Sequence, residues 1–545
     1  MQHKYFRLII APLCLLYFVL SVFLGGWPLN RTLAPHLFDG RIALVLLILC
    51  IVYSYNLIPK WSPSRCLEYV FCAALVALAA YLRLNGLDNI IRNGPSVDEV
   101  LIIPPVLNML QRGTLNFHQY QYGGVFYYIL LAVFTFYVSR TAFRFEYSDF
   151  RSIPEQNFYQ AGRISAGIFS ILTVFLTYFT ARKFFGLMAA IVASILMALC
   201  YLDYNLAHQV RLDLALTFFV IAAHYFLLEM LQKPAALYYF FAGIFCGLSI
   251  GTKFTVAPIF VSLIVTHLLA TKGKKWLDWN IVIASLTAIG VFFLFNLASF
   301  QHLNEFLQLL TVAVQHNLSP EQRTHSANRP LEYFGILVTQ GIGYIALIPL
   351  FLTLALLLYR RDERLIVMWC FPALFLIHLG LYPSGFPRYV LPVIPNLAIL
   401  AGFGAQEIYS WLVARWQIQN RRKLAIGLIL VVLITILPLI DAGNFIRDMK
   451  NRLDPAEVVS WVEKNIPENS SILVDPTGPL LPENKYDIRE IVYRDFRRKD
   501  FADADYLCVT EDLFDRIPKN FTVIKEFPAK TQSLDRTVRI YKPKE

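Results

Sequence analysis

The sequence lacks the cysteine arrangements that hold zinc or build a disulfide framework. Its eight cysteines include no Cys-x-x-Cys pair. Six of them lie in or beside apolar runs, where a thiol behaves as a small hydrophobic side chain. We therefore expect neither a disulfide framework nor a zinc site. Internal repeats and low-complexity segments are absent as well.

Charged side chains are scarce, and they form no continuous block. They account for 16% of the residues, with a net charge of +11. A positive excess can indicate nucleic-acid binding, but here the Lys and Arg residues are dispersed between apolar runs. Such dispersal is typical of loops that orient a protein in a bilayer, so no nucleic-acid partner is expected.

Apolar sequence, by contrast, is abundant and predicts a polytopic α-helical membrane protein. Hydrophobic residues make up 57% of the 545 positions, with a mean hydropathy of +0.52, whereas soluble domains are about 45–50% apolar. No cleavage motif follows the first apolar run, so it is predicted to remain as a helix. Spanning needs about 17–25 apolar residues, and about thirteen segments approach this length. They are residues 8–24, 42–58, 69–84, 164–181, 187–202, 212–231, 237–252, 254–270, 281–298, 334–359, 365–381, 389–412 and 424–440.

Segment 125–139 is ambiguous, because about 15 apolar residues form either a short span or a helix in the membrane interface. Cytoplasmic loops are enriched in Lys and Arg, which favours a segment that does not cross. Four basic loops then join the N-terminus in the cytoplasm, at residues 182–183, 272–275, 360–364 and 415–423. The arginine-rich loop 140–163 then lies outside. This arrangement places on one outer face Asp98, Glu99, Asp213, the loop 316–325, Arg388 and the C-terminal region.

The chain is predicted to contain three parts. Residues 1–66 form an N-terminal transmembrane hairpin, residues 67–441 form the transmembrane catalytic domain, and residues 442–545 form a small extracytoplasmic α/β domain. The first outer loop of the catalytic domain covers residues 85–163. In the last part, Asp454 and Pro455 predict a helix start, and the helix extends to about residue 465. Short β-rich runs follow at residues 471–475, 506–510, 522–527 and 537–541.

Asp98 and Glu99 are the first candidates for chemistry. They are adjacent acids in a polar loop beside the bilayer, where carboxylates avoid the cost of lying in hydrocarbon. One acid can act as a general base toward an acceptor, and the other can orient the acceptor or bind a divalent cation. The structural alternative is that both are loop acids that cap a helix beginning near Val100.

Three more polar residues flank predicted spans. Asp213 either shapes a site or complements the helix dipole. Arg388 either binds a phosphate through its two-pronged guanidinium or reaches the membrane interface beside Tyr389, and it has no acidic neighbour in the sequence. Lys253 either faces a cavity or, as the safer interpretation, occupies a short outer turn.

Histidines give weaker signals. His316 and His325 share a predicted long outer loop, which is either a lid or an exposed segment. His208 and Asp203 lie near Asp213, and neither alone is expected to act. The candidates for lining the site are Tyr122, Tyr127, His208, Arg211 and His325.

An ordered series of short motifs resembles the GT-C membrane glycosyltransferases. The likeness is nearest to the superfamily of protein O-mannosyltransferases and lipid A aminoarabinose transferases, and it covers about residues 69–440. The motifs are Arg83-Leu84, Asp98-Glu99, residues 108–115, residues 122–128, residues 163–166, residues 182–186, Arg211-Leu212-Asp213, residues 247–253, and residues 388–392 with Pro395.

The resemblance implies a polyprenyl-phosphate sugar as donor and an active site at the outer face. It implies that Asp98 is the base or an acceptor ligand, that Asp213 helps to shape the site, and that Arg388 and Tyr389 lie near the donor phosphate. Many relatives have Pro-Pro-Leu, often after a lysine, where this chain has residues 122–125 with the sequence Tyr-Gly-Gly-Val. A lysine contact from that position is therefore not expected.

The predicted function is transfer of a sugar from this donor to an acceptor hydroxyl or phosphate by a single inverting displacement. Asp98 takes the acceptor proton, and Arg388, with Lys253, meets the charge of the leaving phosphate. The acceptor is a lipid, a glycan or a protein, and the bacterial inner membrane is the expected location. Metal dependence is open: no cofactor is indicated with certainty, and a divalent cation at Asp98 and Glu99 is an option. The alternative is a transporter or lipid-linked sugar flippase, although the repeated halves typical of transporters are absent.

Overall fold

The structure is a computed structural model of the chain, and it comprises two compact units. It describes residues 63–87, 97–143, 153, 155–318, 329–381, 386–417, 420–451, 455–475, 479, 481–482, 485–491, 504–529 and 537–544. One unit comprises Met1–Tyr81 and Ala132–Ile153, and the other comprises Leu82–Leu131 and Pro154–Glu545. The predicted spans 8–24 and 42–58 lie outside the described residues. The second unit contains every site residue discussed below.

Helices dominate both units. The described α-helices are α1 (Pro63–Leu84), α2 (Val97–Val100), α3 (Ile103–Arg112), α4 (Val125–Phe143), α5 (Glu155–Phe184), α6 (Leu187–Ala198), α7 (Tyr201–Leu206), α8 (Leu212–Gln232), α9 (Ala236–Thr252), α10 (Ile259–Ala270), α11 (Trp279–Gln301), α12 (Leu303–Leu318), α13 (Arg329–Ile336), α14 (Leu347–Arg360), α15 (Glu363–Gly380), α16 (Ile394–Arg415), α17 (Asn420–Asn451) and α18 (Pro455–Asn465). Short 3₁₀ helices precede α10 and α16, at Phe254–Val256 and Pro387–Val393, and a π-helix, Leu337–Ile342, continues α13.

The predicted multi-pass membrane architecture is confirmed. Seven described helices are long and apolar enough to cross a membrane, and an eighth span results if one bent pair is counted as a single span. That pair, Pro330–Ile342 and Leu347–Arg360, is bent by 115°, so the segment predicted as one span at residues 334–359 is broken within its length. The break begins at Gly343, whose φ of +83° suits a residue without a Cβ. Segment Val125–Ser139 is one of four shorter apolar helices.

Helices α7 and α12 were not predicted from the sequence, and α12 follows α11 after one residue. Helices α2 and α3 lie in the first polar loop, where a helix beginning near Val100 was only the structural alternative for Asp98 and Glu99. Because α12 ends at Leu318, His316 belongs to a helix and the predicted long loop 316–325 is wrong over its first part. His325 lies outside the described residues.

Close helix contacts in the second unit depend on small side chains. Gly243 and Gly247 on α9 face the backbone of α11, so that a Cβ added at Gly247 would lie 2.6 Å from the carbonyl oxygen of Ala288. On α16, an added Cβ at Gly404 would lie 2.0 Å from the carbonyl oxygen of Pro349. Small residues at helix contacts are typical of membrane proteins, where close backbone approach supplies van der Waals attraction.

The C-terminal region contains a five-stranded mixed sheet with the order β2-β1-β3-β5-β4. The strands are β1 (Ser471–Val474), β2 (Asp487–Glu490), β3 (Tyr506–Thr510), β4 (Phe521–Phe527) and β5 (Val538–Pro543). β1 is parallel to β2 and β3, whereas β5 is antiparallel to β3 and β4. Buried Val458 and Val462 of α18 belong to a core cluster that includes Ile472 and Ile540. The predicted small α/β domain is confirmed, although β2 was missed and α17 runs without a break past residue 441.

Replacing Gly247 by alanine should weaken the contact between α9 and α11, because the new methyl group would meet the Ala288 carbonyl. We expect a loss of about 1–3 kcal/mol, as for other overpacked positions. Gly290→Ala on α11 is the matched control, since its added Cβ meets no atom within 4 Å and alanine favours a helix. Thermal unfolding in detergent measures both variants, and equal melting temperatures would contradict this packing.

Candidate functional site

The site forms where four connections between helices meet. One is the short helix α2, and the others lie at the start of α8, at the end of α9 and in the 3₁₀ helix before α16. The loop between α3 and α4 closes the site from the side. These elements contribute Asp98, Arg211 with Asp213, Lys253, Arg388 with Tyr389, and Tyr122.

Asp98 lies between two guanidinium groups. Its carboxylate forms an ion pair with Arg211, and its Oδ2 lies 3.3 Å from Nη2 of Arg388. The Asp98 and Arg388 side chains are each 16% exposed to solvent, so the pair is shielded but reachable. Although Arg388 has no acidic neighbour in the sequence, its acidic partner comes from a distant segment. An incoming anion must therefore compete with Asp98 for Arg388.

Glu99 differs from its neighbour because it is completely buried. Its two carboxylate oxygens accept hydrogen bonds from Nε and Nη2 of Arg163, at 2.7 and 2.8 Å. Oε1 also accepts a bond from the backbone N–H of Val210, at 2.8 Å. Glu99 thus ties α2 to α5 and to the residue that precedes Arg211. The prediction that Glu99 is a second catalytic acid or a metal ligand does not fit this geometry, because its oxygens are occupied.

Asp213 and Lys253 form a second, more deeply buried pair. Nζ of Lys253 lies 2.7 Å from Oδ1 of Asp213, and the two residues are 7% and 3% exposed. Asp213 lies in the first turn of α8, where a negative charge also complements the helix dipole. Lys253 does follow the end of α9, but the expectation of an outer turn residue was wrong because its side chain points inward.

The aromatic ring of Tyr389 lies beside the cations of both pairs. Nζ of Lys253 lies 4.3 Å from the ring centroid, and the guanidinium of Arg388 lies 5.5 Å from it. Arg388 also lies over the ring of Phe386, at 4.4 Å. Such cation–π contacts hold the charged groups without neutralising them. The site contains three cationic side chains, Arg211, Arg388 and Lys253, and two carboxylates, those of Asp98 and Asp213. Their sum is one net positive charge, which favours an anionic ligand.

Tyr122 reaches this cluster from a loop that only glycine can build. The N–H of Gly123 donates to the carbonyl of Thr252 at 3.2 Å, and that of Gly124 donates to Oδ1 of Asn296 at 3.1 Å. A Cβ at Gly123 would lie 2.0 Å from the Gly251 carbonyl oxygen. The glycine pair thus lets the loop lie directly against the residues that precede Lys253.

The phenol of Tyr122 is neutral at physiological pH. Burial raises its pKa to about 12, against a lowering by the Arg388 guanidinium, which also hydrogen-bonds to the phenol. A neutral phenol in this position can accept a bond from Arg388 and donate its own proton to a ligand oxygen.

Two predicted lining residues are buried. The Nδ1 and Nε2 atoms of His208 lie 2.8 and 3.1 Å from the backbone carbonyl oxygens of Tyr204 and Asn85. Tyr127 is buried and stacked on Phe117, with ring centroids 4.9 Å apart. The hydroxyl of Tyr127 donates to the carbonyl of Leu101, next to α2, at 3.3 Å. Both side chains are therefore packed and hydrogen-bonded within the protein interior.

A buried charge pair, Arg83 with Asp203, was not assigned a role from the sequence. Nη2 of Arg83 lies 2.7 Å from Oδ1 of Asp203, and neither side chain is exposed. The guanidinium also donates to the carbonyls of Met197 and Ala198, each at 3.0 Å. The available signal was an arginine at the end of an apolar run, because such a charge must be paired.

The carboxylates of the site are already paired with cationic side chains. Among the residues that the structure describes, no group of three or more His, Cys, Asp and Glu side chains could hold a metal ion. A divalent cation at Asp98 would have to compete with two guanidinium groups. The described residues therefore form no ready cation site.

Comparison with known proteins finds a family match for part of the membrane region. Residues 156–298 match the sequence model of the family described as dolichyl-phosphate-mannose-protein mannosyltransferase. This segment contains Arg163, Arg211, Asp213 and Lys253, whereas Asp98 and Arg388 lie outside it. No curated protein sequence is significantly similar to the chain.

The fold is similar to that of a solved membrane protein, ArnT from Cupriavidus metallidurans in the apo state. The TM-score is 0.55 at 14% identity, over 88% of this chain and 98% of that one. ArnT bound to undecaprenyl phosphate gives 0.48 at 14% identity, over 86% and 97% of the two chains. AglB, an oligosaccharyltransferase from Archaeoglobus fulgidus, in complex with an inhibitory peptide and a dolichol-phosphate, gives 0.48 at 10% identity, over 83% and 70%. The likeness to apo ArnT confirms the predicted GT-C fold.

Replacing Glu99 by glutamine should destabilise the protein, because it leaves the guanidinium of Arg163 buried without its carboxylate. Breaking a buried ion pair in this way costs about 3–5 kcal/mol. Glu463→Gln is the matched control, since the pair of Glu463 and Lys485 is exposed and contributes about 0–1 kcal/mol. Thermal unfolding in detergent measures both variants. A Glu99→Gln protein as stable as the control would show that the pair is not structural.

Proposed function

We propose that this protein is a glycosyltransferase that uses a polyprenyl-phosphate sugar as donor. The observation that carries the proposal is the ion-pair cluster in which a carboxylate, Asp98, directly contacts Arg211 and Arg388, both suited to binding a phosphate. The family that matches residues 156–298 is described as using dolichyl-phosphate-mannose, and ArnT has been solved with undecaprenyl phosphate. Both molecules join a long isoprenoid chain to a phosphate, which is the ligand that a cationic site beside a bilayer can accommodate.

The donor phosphate interacts with Arg388 and Lys253. Guanidinium groups bind phosphate through two parallel hydrogen bonds, and an ammonium acts as a compact point charge. As the bond between the sugar C1 and the phosphate oxygen breaks, its electron pair passes to that oxygen. Cations already in place stabilise the growing charge without reorganising. Asp213 holds Lys253 at 2.7 Å, so we now assign Asp213 a positioning role rather than a catalytic one.

Asp98 acts as the general base. Arg211 and Arg388 both contact Oδ2 of Asp98, so Arg211 still orients the carboxylate through Oδ2 when the donor phosphate engages Arg388. Oδ1 accepts the acceptor proton as the acceptor oxygen forms its bond to C1. Attack from the face opposite the departing phosphate inverts the configuration at C1. The same arrangement suits a hydroxyl or a phosphate acceptor on a lipid, a glycan or a protein.

The distribution of basic residues favours an extracytoplasmic site. Helices α5, α10 and α16 each run from the site end to a basic loop at the opposite end, and α15 returns from another such loop toward Arg388. The basic residues at that far end are Arg182, Lys183, Lys272, Lys274, Lys275, Arg360, Arg361, Arg364 and Arg415. Cytoplasmic loops carry this excess, so the site and the C-terminal domain lie outside. In a bacterial cell this is the outer face of the inner membrane.

Replacing Asp98 by asparagine should reduce sugar transfer by about 10²–10⁴-fold, which is the usual contribution of a general base. Donor binding should be retained or strengthened, because Arg388 then has no competing carboxylate. The measurement is release of polyprenyl phosphate from a labelled polyprenyl-phosphate sugar in detergent, with donor affinity determined separately. Asp515→Asn, an exposed acid of the C-terminal domain, is the control. Full activity of Asp98→Asn would refute the base assignment, and donor movement across vesicles without release would favour a flippase.

Replacing Arg388 by glutamine should weaken donor binding, because a hydrogen bond to a charged group contributes about 1.5–3 kcal/mol. This corresponds to about a tenfold to hundredfold lower affinity. Arg415→Gln removes one exposed arginine at the C-terminal end of α16, the helix that follows Arg388, and is the matched control. Direct binding of the labelled donor tests the pair, and equal affinities would exclude Arg388 from the phosphate site.

A further inference from the structure

A second recess lies beside the loop that carries Tyr122 and is lined by residues 114–116 and His118 of that loop. It has a volume of about 740 Å³ and is formed by the segment after α3 and the last turns of α11. We call it the Arg112 groove. The residues that line it include Arg112, Leu115, His118, Leu294, Leu297 and His302. None of them belongs to the ion-pair cluster around Asp98.

Part of the lining of the Arg112 groove is basic or polar, and none of the lining residues is acidic. Arg112 ends α3, and the imidazole rings of His118 and His302 lie 6.0 Å apart. His302 is also stacked on Tyr120 at 6.0 Å, and its only described acidic contact is Glu305, 3.8 Å away on α12. A permanent positive charge beside two imidazoles and a lining without carboxylates is complementary to an anion.

The rest of the lining is largely apolar and includes one face of a membrane-spanning helix. Leu294 and Leu297 lie on one face of α11 and are 67% and 52% exposed, and Leu115 beside them is 66% exposed. Helix α11 is among the helices that are long and apolar enough to cross the bilayer. Acyl chains therefore surround this face, whereas His302 follows the last residue of α11, where the helix leaves the hydrocarbon.

The wall of the groove is held in place by its own hydrogen bonds. Oδ1 of Asn116 accepts bonds from the hydroxyl of Tyr120 at 2.6 Å and from the N–H of His118 at 3.1 Å. The hydroxyl of Tyr128 donates to the carbonyl of Leu115 at 2.9 Å. These bonds fix the backbone that presents Leu115 and His118, so the recess is formed before any ligand arrives.

We propose that the Arg112 groove binds a membrane lipid with an anionic phosphate headgroup. The phosphate interacts with Arg112 and the imidazoles, and an acyl chain follows Leu294 and Leu297 into the bilayer. The occupant is a lipid rather than a soluble anion, because most of the recess lining is apolar and continuous with a lipid-facing helix. The inference concerns binding alone and is independent of the proposed sugar transfer.

Photo-crosslinking of the full chain in nanodiscs tests this site. The probe is phosphatidylglycerol with a photoactivatable acyl chain, and phosphatidylcholine with the same chain is the zwitterionic comparison. We expect preferential labelling of residues 294–302 by phosphatidylglycerol, reduced about fivefold by Arg112→Gln, since one basic side chain near a membrane surface contributes about that much. Lys519→Gln, an exposed lysine of the C-terminal domain, removes the same charge and should leave labelling unchanged.

Three results would overturn the proposal. Equal labelling by the two lipids would show ordinary contact with the surrounding bilayer. If Arg112→Gln leaves the labelling unchanged, Arg112 does not contribute to lipid binding and the proposed headgroup site is excluded. Loss of labelling on addition of millimolar inorganic phosphate would identify a site for a small anion. Because no readout needs turnover, an inactive protein would refute the proposed function without affecting this test.

Discussion

The carboxylate of Asp98 lies between the guanidinium groups of Arg211 and Arg388, and the rest of the site is arranged around this contact. It joins three connections that are far apart in the chain. Charges beside a bilayer are tolerated when they are paired or wet, and here they are both paired and partly exposed. An ion pair that remains 12–16% exposed is stable enough to exist in the free protein and accessible enough to be exchanged for a ligand.

Buried pairs provide the rigidity that this exchange requires. Glu99 with Arg163, and Arg83 with Asp203, are at most 2% exposed and are supported by backbone hydrogen bonds. Replacing one partner leaves an uncompensated charge, so such pairs resist rearrangement. Chemically similar ion pairs thus differ in exposure: the pairs of Glu99 and Arg83 are fully buried and join segments of backbone, the Asp213–Lys253 pair is nearly buried, and the contacts of Asp98 with Arg211 and Arg388 are partly exposed. Exposure, not residue type, separates these pairs.

The comparison of Asp98 with Glu99 shows how far local sequence can predict a site. The acid pair directed attention to α2, and the flanking motifs indicated Arg211 and Arg388. Neighbouring positions of a short helix point in different directions, however, and only one of the two acids reaches the cluster. Lys253 illustrates the reverse error. Its position between apolar runs suggested a turn, but the depth of its side chain depends on Asp213 of another helix.

The sequence alone determined the features that rest on local composition. Long apolar runs specify membrane helices because the bilayer sets their length, and alternating β-rich runs after a capped helix specify the C-terminal domain. Only the tertiary structure decided which charged groups are partners. Glu99 and Arg163 are separated by 64 residues, and Arg83 and Asp203 by 120. Burial and ion pairing are properties of several helices packed together, so no single segment carries the information that distinguishes a reactive acid from a structural one.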